Sequence, residues 1–221
     1  MLMNGGNKMA YFPFFTDITN KKAVIAGGGE TALRKAEILL SFGANVTVIS
    51  PEFVSGFDSL KRSNENLMII KRKFVISDTD GAFMVVAATN DNNLNEQISK
   101  TCFELKIPVN VVDNTPLCSF IFPSIVKQQD IVCGISSGGK SPVITQYIKE
   151  EIIKFMPHFL GDINNRMGET REAVKLKINS QKLRGKTMRR IFETLLKSRN
   201  LSSNEEINEI INSMGDKNDI N

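Results

Sequence analysis

The run Ala23-Val24-Ile25-Ala26 passes directly into Gly27-Gly28-Gly29 and then into a stretch of helical periodicity, and this join constrains the fold more than any other feature of the chain. Four consecutive apolar residues read as a strand buried on both faces, which is the condition of a strand inside a parallel sheet. The stretch from about Glu30 to Phe42, with Leu33, Ala36, Ile38, Leu39 and Leu40 largely on one face, is expected to be an amphipathic helix stopped by Gly43. The same rhythm recurs. Val46 to Ile49, Leu67 to Ile70, Ala82 to Ala88 and Pro108 to Val112 read as further strands, and Thr89-Asn90-Asp91 opens a helix carrying Leu94, Ile98, Cys102 and Leu105. Strands alternating with crossover helices predict an α/β fold with a doubly wound parallel sheet.

The rhythm changes after Asp113-Asn114-Thr115-Pro116. Phe120 to Phe122, Ser124 to Val126 and Ile131 to Ile135 leave no room for crossover helices, so two or three short antiparallel strands are expected around Gln128-Gln129-Asp130. Ser141-Pro142 supplies a cap and a first-turn proline for a helix reaching about Phe155. From Gly161 the sequence is helical in composition, with Leu176, Leu183, Ile191, Leu195 and Leu196 sparse among charges, as in helices that lie on another surface. Here composition matters, because the chain's net charge of +4 is unevenly spread. Residues 161 to 201 hold 11 Lys and Arg against 4 Asp and Glu, including Lys175, Lys177, Lys182, Arg184, Lys186, Arg189 and Arg190. A solvated helix face, a nucleic-acid surface or a grip on a polycarboxylate all fit such a segment. Only Phe192 is aromatic there, which speaks against stacking on single strands.

With 221 residues, 41% of them hydrophobic, the chain has the means to bury a core, and no run approaches the roughly 20 apolar residues of a membrane helix. Residues 1–10 read as a disordered lead-in without a secretory pattern. Cys102, Cys118 and Cys133 are odd in number and far apart, which fits a reducing cytoplasm rather than a disulfide framework. No metal site is expected, since His158 is the only histidine and has no cysteine nearby.

Gly27-Gly28-Gly29-Glu30-Thr31-Ala32 fits G-x-G-x-x-A, and its place between strand and helix makes it a candidate pyrophosphate cradle: free backbone N–H groups and the helix dipole favour an anion there. A glycine turn with no ligand is the plainer alternative. Glu52, after Ser50-Pro51, stands where an acid holds an adenosine ribose, and no arginine in that stretch is available for a 2′-phosphate, so NAD is favoured over NADP. Gly134 to Ser141 matches the P-loop pattern G-x-x-x-x-G-K-[ST], but the chain beyond Lys140 offers no later strand to complete a magnesium site, and a turn capped by Ser141 accounts for most of these residues. Asp113, at the carboxyl end of the last parallel strand, is either a proton-transfer group or an Asx turn closed on its own backbone. Cys118 has no histidine near it in sequence and reads as a small buried residue.

Taken in order, the glycine turn, Tyr11-Phe12-Pro13-Phe14-Phe15, Val86-Ala87-Ala88-Thr89-Asn90, Asn110-Val111-Val112-Asp113, Cys118-Ser119-Phe120-Ile121-Phe122-Pro123 and Ile135-Ser136-Ser137-Gly138-Gly139-Lys140-Ser141-Pro142 resemble one family. It is the precorrin-2 dehydrogenase / sirohydrochlorin ferrochelatase family, the N-terminal module of siroheme synthases, and the resemblance covers about residues 11 to 160. It implies a Rossmann-like NAD-binding domain over residues 11–114, a small α+β dimerisation region over 115–150 and a helical C-terminal domain over 151–221, with the active site between them. It further implies a homodimer acting in the cytoplasm on a tetrapyrrole, with neither nucleic acid nor membrane as partner. The expected reaction is NAD-dependent oxidation of precorrin-2 to sirohydrochlorin, with ferrous iron insertion as an additional activity left open. A non-catalytic protein that binds or senses dinucleotide and tetrapyrrole is the alternative. By position, Asp113 falls on the family's catalytic carboxylate and Ser137 on an active-site serine. Gly27, Gly28, Gly29, Glu30, Thr31, Pro51, Glu52 and Thr89 fall on the cofactor contacts. Thr31 replaces the family's usual valine, and Gln128-Gln129-Asp130 replaces its Arg-Gly in the hairpin. A methyltransferase module is not expected in a chain of this length.

Overall fold

The computed structural model describes residues 11–215. The lead-in expected over residues 1–10 lies outside them, as do residues 216–221. The chain divides into two units, one ending at Phe122 and the other beginning at Pro123.

The first unit is built on five parallel strands: β1 (Lys22–Ala26), β2 (Asn45–Ser50), β3 (Leu67–Lys71), β4 (Met84–Ala87) and β5 (Val109–Val111), in the spatial order β3-β2-β1-β4-β5. The order reverses at β1, between β2 and β4, which is where a doubly wound sheet opens a crevice at its carboxyl edge. Strand side chains alternate between faces, and each face carries its own core. Ala23, Ile25, Val46, Val48, Met84 and Val86 pack with helix α1 (Glu30–Ser41) and helix α2 (Gly56–Ser63) through Ala32, Leu33, Ala36, Leu39 and Phe57. Val24, Ala26, Ile49, Val85 and Ala87 pack on the opposite side with Ile98 and Cys102 of helix α3 (Asn92–Glu104). Completely buried side chains such as Ile25, Phe57 and Ile98 each contribute about 1.5–3 kcal/mol by leaving water.

Two local features differ from the sequence expectation. β4 begins at Met84 because Ala82 is still part of a turn, its N–H bonded to the Thr79 carbonyl at 3.0 Å. Helix α2 lies in a stretch whose letters are mostly polar, and only Phe57 on it is fully buried.

In the second unit, β6 (Ser124–Gln128) and β7 (Ile131–Ile135) form the expected antiparallel hairpin, while Phe120 to Phe122 is not a strand. Helix α4 (Pro142–Phe155) follows, started by Ser141, whose hydroxyl accepts the Ile144 N–H. The Gly134 to Ser141 turn therefore follows a strand of an isolated hairpin, and the described residues after it are helical, which is not P-loop surroundings. Helices α5 (Leu160–Lys177), α6 (Gln181–Lys197) and α7 (Asn204–Gly215) do more than cover another surface. They enclose a core of their own, with Ile163, Val174, Ile178, Ile191, Leu195, Ile207, Ile210 and Ile211 buried together. Leu176 and Leu196 fall off that stripe and face outward. The hairpin turn is held to α5 by amides: Gln129 Nε2 donates to Asp162 Oδ1 at 2.7 Å, Asn165 Nδ2 donates to Gln129 Oε1 at 2.8 Å, and Gln128 Nε2 donates to the Pro157 carbonyl at 3.0 Å.

Candidate active site

The carboxyl edge of the parallel sheet gathers most of the residues singled out by sequence. Gly27 N–H bonds the Ile49 carbonyl at 2.9 Å, and Val54 N–H bonds the Gly28 carbonyl at 3.0 Å, so the glycine turn is tied down by β2 and by the loop that follows it. The three glycines are there for different physical reasons. Gly27 has φ +115°, and a Cβ on it would lie 2.2 Å from the Ala88 carbonyl oxygen. A Cβ on Gly28 would lie 2.1 Å from the Glu52 carbonyl oxygen. At Gly29 a Cβ would meet nothing within 4 Å, so the backbone is exposed on the side where α1 begins. The first N–H groups of α1 have no partner within the helix, and no side chain caps them. Buried glycine backbone, open space and an uncapped helix start fit the phosphates of a dinucleotide.

Glu30 is exposed and Thr31 half-buried at this helix start, and Thr31 Oγ1 accepts a hydrogen bond from Arg34 Nη2 at 3.2 Å. That guanidinium is a cation beside the turn that the sequence reading passed over. Pro51 and Glu52 are exposed immediately past the end of β2. Thr89, past the end of β4, is engaged structurally: its hydroxyl donates to Asn95 Oδ1 at 2.7 Å, and Asn95 Nδ2 returns a bond to the Thr89 carbonyl at 2.9 Å. This leaves its hydroxyl bound within the loop that starts α3.

Asp113 stands just beyond β5 at φ +58°, a left-handed conformation that aspartate tolerates better than most side chains. The Asx turn is not formed. Asn114 N–H bonds the Val111 carbonyl at 3.3 Å, while the exposed Asp113 carboxylate has no hydrogen bond or ion pair among the described residues. What holds the turn is Cys118. Its buried sulfur accepts the Val111 N–H at 3.1 Å and lies 3.2 Å from the Val111 carbonyl and 3.3 Å from the Asn114 carbonyl, to which its S–H can donate. Burial pushes the thiol up from its ordinary value, the opposite of an activated nucleophile. Ser119 continues the zipper, its hydroxyl accepting the Val109 N–H at 2.8 Å, and buried Asn110 donates to the Phe120 carbonyl at 3.1 Å.

Ser137 belongs to the second unit, in the loop between β7 and α4, half-buried, with its hydroxyl accepting the Ser141 N–H at 3.0 Å. The sheet edge thus brings together Gly27 to Thr31, Pro51, Glu52, Thr89 and Asp113, and Ser137 is carried by the other unit. Among the described residues no group of three or more His, Cys, Asp or Glu side chains is arranged to hold a metal ion. No helix among them is long and apolar enough to cross a membrane.

Residues 14–124 match the family model described as "Putative NAD(P)-binding". The chain belongs to this NAD(P)-binding family. The matched residues include the glycine turn, the start of α1 and the carboxyl edge of the sheet. The chain is also similar to siroheme synthases. That of Psychrobacter sp. (strain PRwf-1) is 39% identical over 185 residues, covering 84% of this chain and 38% of that protein. That of Buchnera aphidicola subsp. Acyrthosiphon pisum (strain APS) is 36% identical over 198 residues, covering 90% and 42%. The chain therefore spans about two fifths of the length of these relatives. Among solved structures, "SirC, precorrin-2 dehydrogenase" matches with a TM-score of 0.68 over 92% of this chain and 98% of that one, and at 20% identity the likeness speaks for the fold.

Proposed function

We propose that the protein oxidises precorrin-2 to sirohydrochlorin with NAD, in the synthesis of siroheme. The observation that carries this reading is Asp113: an exposed, unpaired carboxylate in a left-handed turn, on the same sheet edge as the open glycine cradle. The names of the relatives, siroheme synthase and precorrin-2 dehydrogenase, supply the substrate class.

In this reading Gly27, Gly28 and Gly29 with the helix start at Glu30 and Thr31 hold the pyrophosphate, and Pro51 and Glu52 flank the adenosine half. Thr89 contributes through its loop rather than its bonded hydroxyl. NAD rather than NADP is preferred because an exposed acid, Glu52, follows β2. When bound, NAD supplies the hydride acceptor. The oxidation removes one hydride and one proton from precorrin-2 and leaves one new double bond in its place, and a base beside the ring speeds the loss of the proton. Asp113 takes it on its carboxylate and releases it to water, a role worth on the order of 10²–10⁴-fold in rate. The same carboxylate can take pyrrole protons if ferrous iron is inserted as a second substrate. Ser137 is assigned to the tetrapyrrole.

The domain scheme that goes with this reading is NAD binding over 11–114, dimerisation over 115–150 and a helical domain over 151–221. The homodimer is supported by α4, which has no buried residue and exposes Val143, Ile144, Tyr147, Ile153 and Phe155. A cytoplasmic location agrees with three free cysteines.

The test is to incubate the purified protein with precorrin-2 and NAD and to follow NADH and sirohydrochlorin together. Joint appearance is expected. No NADH above a protein-free control rejects the dehydrogenase, and binding of both ligands without turnover would instead mark a sensing protein.

A further inference from the structure

Asn95 occupies a place where packing alone would favour an apolar residue. It lies on the buried stripe of α3 with Ile98, Ser99 and Cys102 and is only 5% exposed. The start of α3 does not need it, since Asp91 already caps the helix by accepting the Leu94 N–H at 3.1 Å. Among the described residues its side chain bonds one residue, Thr89, and bonds it twice: Oδ1 accepts the hydroxyl at 2.7 Å and Nδ2 donates to the carbonyl at 2.9 Å. A carbonyl only accepts, so one orientation of the amide satisfies both bonds. A leucine would pack on the same core without the cost of desolvating an amide. What the amide adds is a fixed Thr89 peptide.

Fixing that carbonyl also aims the next N–H. The peptide bond is planar and trans, so the Asn90 N–H points opposite to the Thr89 carbonyl. The carbonyl is turned toward α3, which sends the Asn90 N–H away from the helix. Asn90 is exposed past the end of β4, and its N–H has no partner among the described residues. The same loop borders the glycine turn: a Cβ on Gly27 would lie 2.2 Å from the Ala88 carbonyl oxygen and 3.3 Å from the Thr89 nitrogen. In the sheet, β4 neighbours β1 on the side opposite β2. With the adenosine half of the dinucleotide read at the end of β2, the end of β4 meets the nicotinamide half. The geometry points to Asn95 as a positioning residue for the cofactor: its amide holds the Thr89 peptide so that the Asn90 N–H donates to an oxygen of the nicotinamide half. This rests on the reading of the sheet edge as the NAD site.

Two measurements on the full chain test this. In the first, NAD and ADP are titrated calorimetrically into the wild type and two variants; ADP carries the adenosine and both phosphates but no nicotinamide half. Asn95→Leu should weaken NAD about tenfold, the worth of one hydrogen bond, and leave ADP within twofold of wild type. Asn95→Asp keeps an acceptor for the Thr89 hydroxyl but loses the donor to its carbonyl, so NAD should weaken at least as much. Wild-type NAD affinity in either variant overturns the proposal. So does an equal loss of NAD and ADP, which would make Asn95 a support of the fold alone. The second measurement needs no variant. In NMR spectra of the wild-type backbone amides, saturating NAD should shift the Asn90 N–H and ADP should leave it in place. An Asn90 signal that bound NAD does not move overturns the proposal. No NAD binding by the wild type removes the cofactor reading and the positioning role with it, a failure distinct from NAD that binds and leaves Asn90 untouched.

Discussion

The glycine turn makes a prediction in which two neighbouring substitutions have opposite consequences. Gly27→Ala places a side chain at φ +115°, far from the left-handed well, at a cost of about 1–3 kcal/mol. The new Cβ would stand 2.2 Å from the Ala88 carbonyl oxygen, which is backbone just past β4 and has no rotamer with which to yield. Overpacking of that kind costs about 1–3 kcal/mol more. The total, about 2–6 kcal/mol, is a large part of the roughly 5–15 kcal/mol that holds a domain together. Gly29→Ala differs on both counts: the backbone is at φ −83° and the Cβ meets nothing within 4 Å. Its stability should stay within about 0.5 kcal/mol of wild type. The methyl would, however, occupy the open side of the cradle, and NAD should bind at least about tenfold more weakly, a loss of about 1.4 kcal/mol. Urea unfolding of both variants, with calorimetric titration of NAD into Gly29→Ala, reads out the contrast. Wild-type NAD affinity in Gly29→Ala would refute the cradle, and equal destabilisation of the two variants would refute the steric argument.

Three further outcomes are expected. Cys118→Ala leaves the buried Val111 N–H without its sulfur acceptor and should cost about 1–3 kcal/mol in urea unfolding, with Cys118→Ser recovering part of it; an unchanged midpoint in the alanine variant would show that the turn is held by other contacts. The two-pronged Arg72 to Asp78 pair, at 2.6 and 2.8 Å, holds the Asp78 carboxyl below its ordinary value, so it stabilises the fold above the ordinary value near 3.8 and loses its effect as the pH falls through the lower, folded one. Asp78→Asn should therefore be less stable than wild type at neutral pH and should converge with it in strong acid; a gap that persists there points to another cause. Tyr147→Glu on exposed α4 should give a monomer in light scattering where the wild type is a dimer, and a monomeric wild type would remove the dimer from the proposal.

Much of the first unit is legible in the letters because its signals are local. A fully apolar run followed by three glycines can be read without knowing what lies opposite, and β1, the turn and α1 fall where that pattern puts them. Asp113 is legible as a position but not as a state. Only the structure distinguishes a carboxylate closed on its own turn from one left free, since that depends on Cys118 taking over the backbone groups of the turn. The contact of Lys35 with Phe122 is invisible to sequence reasoning for the same reason: in a helix it is one lysine among several, and its aromatic partner lies far along the chain. The last region is legible as helical, but its core is not, because each helix carries only a narrow stripe, such as Ile207, Ile210 and Ile211 on α7, and the letters do not say what that stripe meets. Three sparse stripes meeting make a core, and Leu176, which looks like part of it, faces away.

The most direct test of the central claim is a stoichiometry. Purified protein is given a known amount of precorrin-2 with excess NAD, and NADH and sirohydrochlorin are counted at completion beside Asp113→Asn. One NADH per sirohydrochlorin is predicted, with the variant slowed on the order of 10²–10⁴-fold while still binding NAD. Sirohydrochlorin formed without matching NADH, or at the same rate in both proteins, would contradict the account.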